Sequence, residues 1–466
     1  MSRRRLVVVG ADAAGMSAAH QALRVSRGRG AELEVIAFEK TDHTSYSACG
    51  IPYWMAGDVE SADAMVARTA DEHRSMGVDL RMHHQVMALD LASSKVEVRD
   101  LQESRTYTVG FDDLMLATGA EPVLPEWARG VPDALPVKTL DDGYAWHALL
   151  DGKPRSALVV GGGYIGVEAA ETFARLGIAT TLVTRGQEVM SSSFDPHMAA
   201  LVRNALEQAG VRVVTGVEVS ALGTLGAARG NGDDATPAGV RVACAGGTEY
   251  EAEVVAVAIG VRPRIRLAVD AGLPVGRRGG LVPDEQQRIQ DGVWAAGDCC
   301  EVFDRTLRSH WFVPLGTHAN KAGRVAGTVI GGGTASFPGI VGTAITRAGR
   351  SEVARTGVLR KWLPQMGLNE DDVAAVTLDS TTASGYMPEA DPITVCVVGE
   401  KGTGRLLSCQ IVGGRGAGKR IDIAATAMWA GMRADEVAML DLAYAPPFSP
   451  VWDPVQIACR KLADRL

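Results

Sequence analysis

No stretch of about 18 apolar residues occurs in this chain, so no membrane-spanning helix is expected. Basic residues are not in excess either: 47 Lys and Arg stand against 55 Asp and Glu, a formal charge of −8. Nothing in that balance attracts nucleic acid or an anionic membrane surface, and neither is expected as a partner. Met1-Ser2-Arg3-Arg4-Arg5 followed by Leu6-Val7-Val8-Val9 imitates a secretory leader, but the apolar run stops at Gly10 and meets Asp12. The seven cysteines (Cys49, Cys244, Cys299, Cys300, Cys396, Cys409 and Cys459) are odd in number and scattered. That argues against a disulfide framework, shows no metal-ligand spacing, and suits a reducing cytoplasm. The most informative absence is local. Pro52 and Trp54 stand where a C-x-x-C or C-x-x-x-x-C partner of Cys49 would be. A thiol so isolated either packs as a small hydrophobe or forms its disulfide with something other than the protein.

What is present is glycine and hydrophobic sequence in a repeated arrangement. The 466 residues suggest about two to four domains. The 54 glycines cluster in short turns of the kind that join strands to helices. Leu6-Val7-Val8-Val9 reads as a strand buried on both faces, and Gly10-Ala11-Asp12-Ala13-Ala14-Gly15 as a tight turn into a helix. Such a turn aims free backbone N–H groups at a pyrophosphate, although Asp12 takes the usual place of the middle glycine. A second strand, residues 33–38, ends at Glu39, an acid suited to ribose hydroxyls or else incidental to an ordinary βαβ turn.

The second unit keeps all three glycines, Gly161, Gly163 and Gly166, between the strand Ala157-Leu158-Val159-Val160 and a helix. Its next strand ends at Thr184-Arg185. Arg185 favours the 2′-phosphate of NADPH over the free hydroxyl of NADH, unless it is a solvated loop residue. Residues 114–120, carrying Thr118, and 254–260 each run a strand into a small-residue turn. Residues 292–298 do so with Asp298 at the end, before a helix from about Thr317. The chain is therefore expected to leave one nucleotide domain, build a second and return to the first.

With these motifs the chain resembles the flavoprotein disulfide reductases built on two dinucleotide-binding domains, that is, the FAD-dependent pyridine nucleotide-disulfide oxidoreductases. The resemblance rests on the two glycine turns, Ala117-Thr118-Gly119, Ala296-Gly297-Asp298 and the segment 314–324. It implies an α/β fold with two Rossmann-like domains, for FAD and NAD(P), and a C-terminal α+β dimerisation domain. The expected divisions are 1–150 and 280–333 for the FAD domain, 151–279 for the NAD(P) domain and 334–466 for dimerisation. It also implies FAD contacts at Gly10, Gly15, Glu39, Thr118 and Asp298, and nicotinamide-cofactor contacts at Gly161, Gly163, Gly166 and Arg185.

Ser45-Tyr46-Ser47-Ala48-Cys49-Gly50-Ile51-Pro52-Tyr53 resembles the single-cysteine group that includes coenzyme A-disulfide reductase, NADH oxidase and NADH peroxidase. The resemblance makes Cys49 the redox residue and Ser45 a substrate contact, while Ala48 departs from the Asn common in the reductases. Ala13 stands where peroxidases and many oxidases place a His, which disfavours peroxide chemistry. Residues 441–450 resemble the Tyr-Ala-Pro-Pro-Tyr-Ser segment of the reductases, with Tyr444 matching a tyrosine that reaches the partner subunit's cysteine and Phe448 replacing a second Tyr. Tyr386 is a further candidate. Arg24, with Arg27 behind it, is the expected phosphate contact for coenzyme A, and no rhodanese-like domain is expected after Leu466.

The expected function is NAD(P)H-dependent reduction of coenzyme A disulfide, or related small disulfides and polysulfides, by a cytoplasmic homodimer whose active sites are shared across the interface. Coenzyme A is a candidate bound thiol. Turnover requires the Cys49 pKa to fall below that of a free thiol. The alternatives are an NAD(P)H oxidase reducing O₂ and a non-catalytic flavin redox sensor. No metal is expected.

Overall fold

The structure is a computed structural model that describes residues 4–226 and 239–466, so Met1, Ser2 and Arg3 of the leader-like opening lie outside the described residues. Residues 6–9 form part of the strand Arg4–Val9, whose last four residues are buried, as expected of a strand covered on both faces. It lies at the centre of a six-stranded sheet ordered Arg288–Gln290, Val293–Ala295, Asp113–Leu116, Arg4–Val9, Leu33–Phe38 and Asp79–Arg81. All neighbours are parallel except the outermost pair, Arg288–Gln290 with Val293–Ala295. The chain thus returns to its first sheet after an excursion of more than 170 residues.

Two helices, Ala13–Gly28 and Gly316–Ile330, pack against each other on this sheet through small residues. A Cβ added to Gly323 would stand 2.2 Å from the Ala14 carbonyl oxygen, and one on Gly327 would stand 2.3 Å from that of Ala18. Only glycine permits such an approach.

The second sheet is parallel throughout, in the order Arg212–Val214, Ala179–Val183, Ser156–Val160, Val254–Val257 and Ala134–Leu135. Its edge strand Ala134–Leu135 precedes residue 151, where the sequence places the start of the second nucleotide domain, so the chain changes sheets before residue 134. The helix Tyr164–Arg175 follows the second glycine turn.

The C-terminal unit is a five-stranded antiparallel sheet, Ala344–Ala348, Ser351–Gly357, Leu406–Gly413, Pro392–Glu400 and Val373–Thr381, with helices including Ile421–Ala430 and Pro454–Ala463. The α/β class with a mixed C-terminal domain is as expected. Two three-stranded antiparallel sheets, one of His84–Asp90, Lys95–Asp100 and Arg105–Gly110 and one of Val219–Thr224, Val240–Cys244 and Glu249–Ala252, add to it and carry no nucleotide motif. Among the described residues no helix is long and apolar enough to cross a membrane, and no cluster of His, Cys, Asp or Glu could hold a metal ion.

Candidate active site

Both glycine turns have the geometry that a dinucleotide pyrophosphate requires. Gly10 has φ +99 and Gly161 φ +112, backbone that L side chains rarely adopt. A Cβ on Gly10 would lie 2.2 Å from the Ala117 carbonyl oxygen, and one on Gly161 would lie 2.3 Å from that of Ala258. Gly15 and Gly166 each close their turn, since a Cβ on either would sit 1.9 Å from the carbonyl oxygen of Gly10 or Gly161. Gly163 N-caps the helix Tyr164–Arg175 and offers no side chain, so that helix keeps its first-turn N–H groups for an anion. Asp12 N-caps the helix Ala13–Gly28 without a side-chain capping bond. Burial, with Glu39 adding to it, raises the Asp12 pKa to about 6.

Glu39 stands at the end of its strand as expected. One carboxylate oxygen accepts from Ala11 N at 3.1 Å, and the other accepts from Thr41 N at 3.0 Å and Thr41 Oγ1 at 2.9 Å. Glu39 therefore fixes the glycine turn itself, with lone pairs to spare for a hydroxyl. Thr118 Oγ1 donates to the Arg264 carbonyl at 2.5 Å. Asp298 is paired with Lys138 at 3.2 Å, both side chains largely buried. Arg185 is open to solvent, its guanidinium 3.5 Å from Glu218.

Cys49 is the exposed cysteine of the seven, and the other six are buried. It sits in the single 3₁₀ turn Ala48–Gly50, ahead of the short helix Ile51–Met55. The helix Tyr164–Arg175 holds that segment in place: Thr172 Oγ1 donates to the Pro52 carbonyl at 3.0 Å, and Arg175 pairs with Asp58. The protein's own groups raise the Cys49 pKa. Although the residue keeps an open face, desolvation by the protein packed around its loop raises it most, Glu168 and Asp298 add to the rise, and Lys138 opposes them. Two carboxylates outweigh one ammonium. Glu168 projects from the helix Tyr164–Arg175 and accepts from Thr346 Oγ1 of the C-terminal domain at 2.7 Å.

Ser45, four residues before Cys49, has φ 49 and hydrogen-bonds His73 Nε2 at 2.9 Å. Nearby, an open pocket of about 650 Å³ is lined by Ser17, His20, Arg24, Arg27, Lys321 and Arg324. The buried Gln21 orients two of its cations through one oxygen, accepting from Arg24 at 3.0 Å and Arg324 at 3.2 Å. Four cations in one open pocket suit the phosphates of a large anion. Arg24 and Arg27 are thus brought together with two basic residues from the helix Gly316–Ile330. Tyr444 and Tyr386 are exposed at 47% and 76% on the C-terminal domain, beside exposed Phe448 and Val451, an apolar surface suited to a subunit interface.

The sequence reading missed Lys138, Glu168, Gln21, His20 and His73. None lies in a motif that names it, and each matters because of a partner distant in sequence.

Residues 4–320 match the family model of the pyridine nucleotide-disulphide oxidoreductases, and residues 346–454 match the dimerisation domain of that family. The chain is 32% identical to the NAD(P)H coenzyme A polysulfide/persulfide reductase of Pyrococcus horikoshii, covering 99% of this chain and 98% of that protein. It is 28% identical to the NADH oxidase of Methanocaldococcus jannaschii, covering 99% of each. Its fold superposes on an NAD-dependent persulfide reductase from A. fulgidus with a TM-score of 0.90 and 32% identity, over 99% of this chain and 83% of that one.

Proposed function

Because the chain belongs to the pyridine nucleotide-disulphide oxidoreductase family, whose members bind FAD and NAD(P)H, we propose that it reduces coenzyme A disulfide or related small disulfides and polysulfides through Cys49. The observation that carries this reading is the exposed, unpartnered Cys49 together with the basic pocket nearby. The first glycine turn, with Gly10, Gly15, Glu39, Thr118 and Asp298, suits FAD. The second, with Gly161, Gly163, Gly166 and Arg185, suits the nicotinamide cofactor, and an exposed Arg185 favours NADPH over NADH. Bound FAD supplies the means of passing a hydride equivalent from NAD(P)H to sulfur as two electrons.

The chain's own residues do the rest. Arg24, Arg27, Lys321 and Arg324 hold the phosphates of coenzyme A, which places its thiol end towards Ser45. Cys49, as thiolate, attacks one sulfur of the incoming disulfide, forms a mixed disulfide and expels the other half as a thiol. Lys138 is the positive charge that favours the thiolate. Tyr444 of one subunit serves Cys49 of the other, donating a hydrogen bond to the departing sulfur, and Tyr386 stands with it. Six buried, unpaired cysteines suit a reducing compartment, the cytoplasm.

Cys49→Ser tests the reading: NAD(P)H-dependent bleaching of the flavin should persist while thiol release from coenzyme A disulfide disappears. Thiol release at the wild-type rate would overturn it. Intact-protein mass measured before and after reduction identifies any thiol carried on Cys49. The M. jannaschii relative supports a second reading, O₂ reduction, which predicts oxygen uptake equal to NAD(P)H consumption without disulfide.

A further inference from the structure

His73 is fully buried and lies on the short helix Ala70–Ser75, which a capping box between Thr69 and Glu72 fixes in place. Both of its ring nitrogens are engaged. Nε2 meets Ser45 Oγ at 2.9 Å, and Nδ1 meets Nε2 of His20 at 2.6 Å, with the two rings stacked at 4.9 Å between centroids. The outer members are open where the middle one is not: His20 lines the basic pocket and Ser45 is partly exposed in the Cys49 loop. Ser45 adopts left-handed backbone, and Ala67 N holds it there by donating to its carbonyl oxygen at 2.8 Å. A sterically disfavoured serine directed at a buried histidine is a costly arrangement for packing alone.

We propose that His73 is a positioning residue that joins the Ser45 hydroxyl to His20, forming a proton relay from the basic pocket to the thiolate expelled at Cys49. The inference rests on the disulfide-reductase reading of Cys49. Burial lowers the pKa of both rings most, with Arg68 and Arg27 adding to it at His20, and His20 and Arg68 at His73, where Glu72 is the opposing charge; both rings are neutral. Two neutral rings 2.6 Å apart share one proton between them, so the array has two polarities. In one, Ser45 donates to His73 and His73 to His20. In the other, His20 donates to His73, His73 to Ser45, and the Ser45 O–H is free to donate onward.

Passage from the second polarity to the first performs the chemistry. When the Cys49 thiolate attacks a disulfide, one S–S bond breaks and one forms, and the expelled sulfur carries the negative charge. That thiolate takes the Ser45 proton, Ser45 takes the proton of His73 Nε2, and His73 Nδ1 takes the proton of His20 Nε2. His20 Nδ1 recovers a proton from water in the pocket. The net change is a thiolate plus one proton giving a thiol.

The relay matters for basic leaving thiolates and not for acidic ones, which sets it apart from a structural role. His73→Phe should reduce coenzyme A disulfide on the order of tenfold or more slowly. The same variant should reduce 5,5′-dithiobis(2-nitrobenzoate), whose acidic thiol leaves without a proton, at the wild-type rate, with NAD(P)H reduction of the flavin unchanged. Equal slowing of both disulfides, or of neither, overturns the relay. Should His73→Phe fail to fold, His73→Gln, which keeps a polar group at the buried position but passes no proton, decides by the same selectivity. Thiol release surviving in Cys49→Ser would fail the underlying reading. Loss of thiol release in Cys49→Ser, without leaving-group selectivity in the histidine variants, would fail the relay alone.

Discussion

Arg420 gathers the segments that present Tyr444 and Tyr386. Its Nε donates to Asp453 at 2.8 Å, Nη1 to the Gly416 carbonyl at 2.5 Å, and Nη2 to the carbonyls of Thr382 and Phe448, both at 2.6 Å. Thr382 lies four residues before Tyr386 and Phe448 four residues after Tyr444. The ion pair is nearly buried, with 10% and 9% of the side chains exposed. Arg420→Lys keeps the charge but cannot reproduce the planar fork. Losing two bonds from a charged donor, at about 1.5–3 kcal/mol each, should destabilise the C-terminal domain by at least ~3 kcal/mol. Arg420→Met leaves Asp453 uncompensated and should cost about 3–5 kcal/mol. Asp453 also caps the helix Pro454–Ala463, accepting from Val455 N at 2.9 Å. Asn can keep that cap without the charge, so Arg420→Met with Asp453→Asn should recover part of the loss. Urea titration followed by tryptophan fluorescence reads the stability, and thiol release against flavin reduction reads the function. An Arg420→Lys protein with an unchanged midpoint and unchanged thiol release would refute the clamp.

Three further predictions concern charge. Glu168→Gln removes a carboxylate that raises the Cys49 pKa, so the pH midpoint for alkylation by iodoacetamide should move down, while Lys138→Met should move it up; a downward shift in Lys138→Met contradicts the electrostatic account. Asp12 has its pKa raised from 3.8 to about 6 in the folded protein, so its contribution to stability is full below about pH 4 and is lost as pH rises through about 6. Flavin-free Asp12→Asn should therefore gain up to ~3 kcal/mol on the wild type between pH 4 and pH 7, and a pH-independent difference in urea stability would count against it. Arg185→Glu should raise the KM for NADPH by roughly tenfold or more while sparing that for NADH, and equal changes for both in steady-state assays would remove Arg185 from cofactor choice.

The nucleotide units were legible because each is a contiguous strand, turn and helix, and the turn needs glycine where φ is positive, as at Gly10 and Gly161. Cys49 was legible through its flanking residues. The alternating pattern of Lys95–Asp100, buried at every second residue, was present in the sequence as a strand signal without a motif to draw attention to it. The charge environment of Cys49 was not legible. Lys138 meets Asp298 across 160 residues, and Glu168 reaches the site from another domain, so no local spacing announces either. The same holds for His20 and His73, which are 53 residues apart and read singly as ordinary helix residues.

The late return of the chain to its first sheet has a consequence for synthesis. The second nucleotide sheet has all its strands once Val254–Val257 has been made, whereas the first still lacks Val293–Ala295 and the helix Gly316–Ile330. Trp294, whose indole N–H donates to the buried Asp113 at 3.1 Å, arrives about 180 residues after its partner. A chain growing from its N-terminus therefore carries Asp113–Leu116 as an open edge and the small-residue face of Ala13–Gly28 uncovered until some 330 residues exist. The inserted domain matures inside an unfinished host. That interval is when the first nucleotide unit is exposed to mispairing and has most need of protection by chaperones.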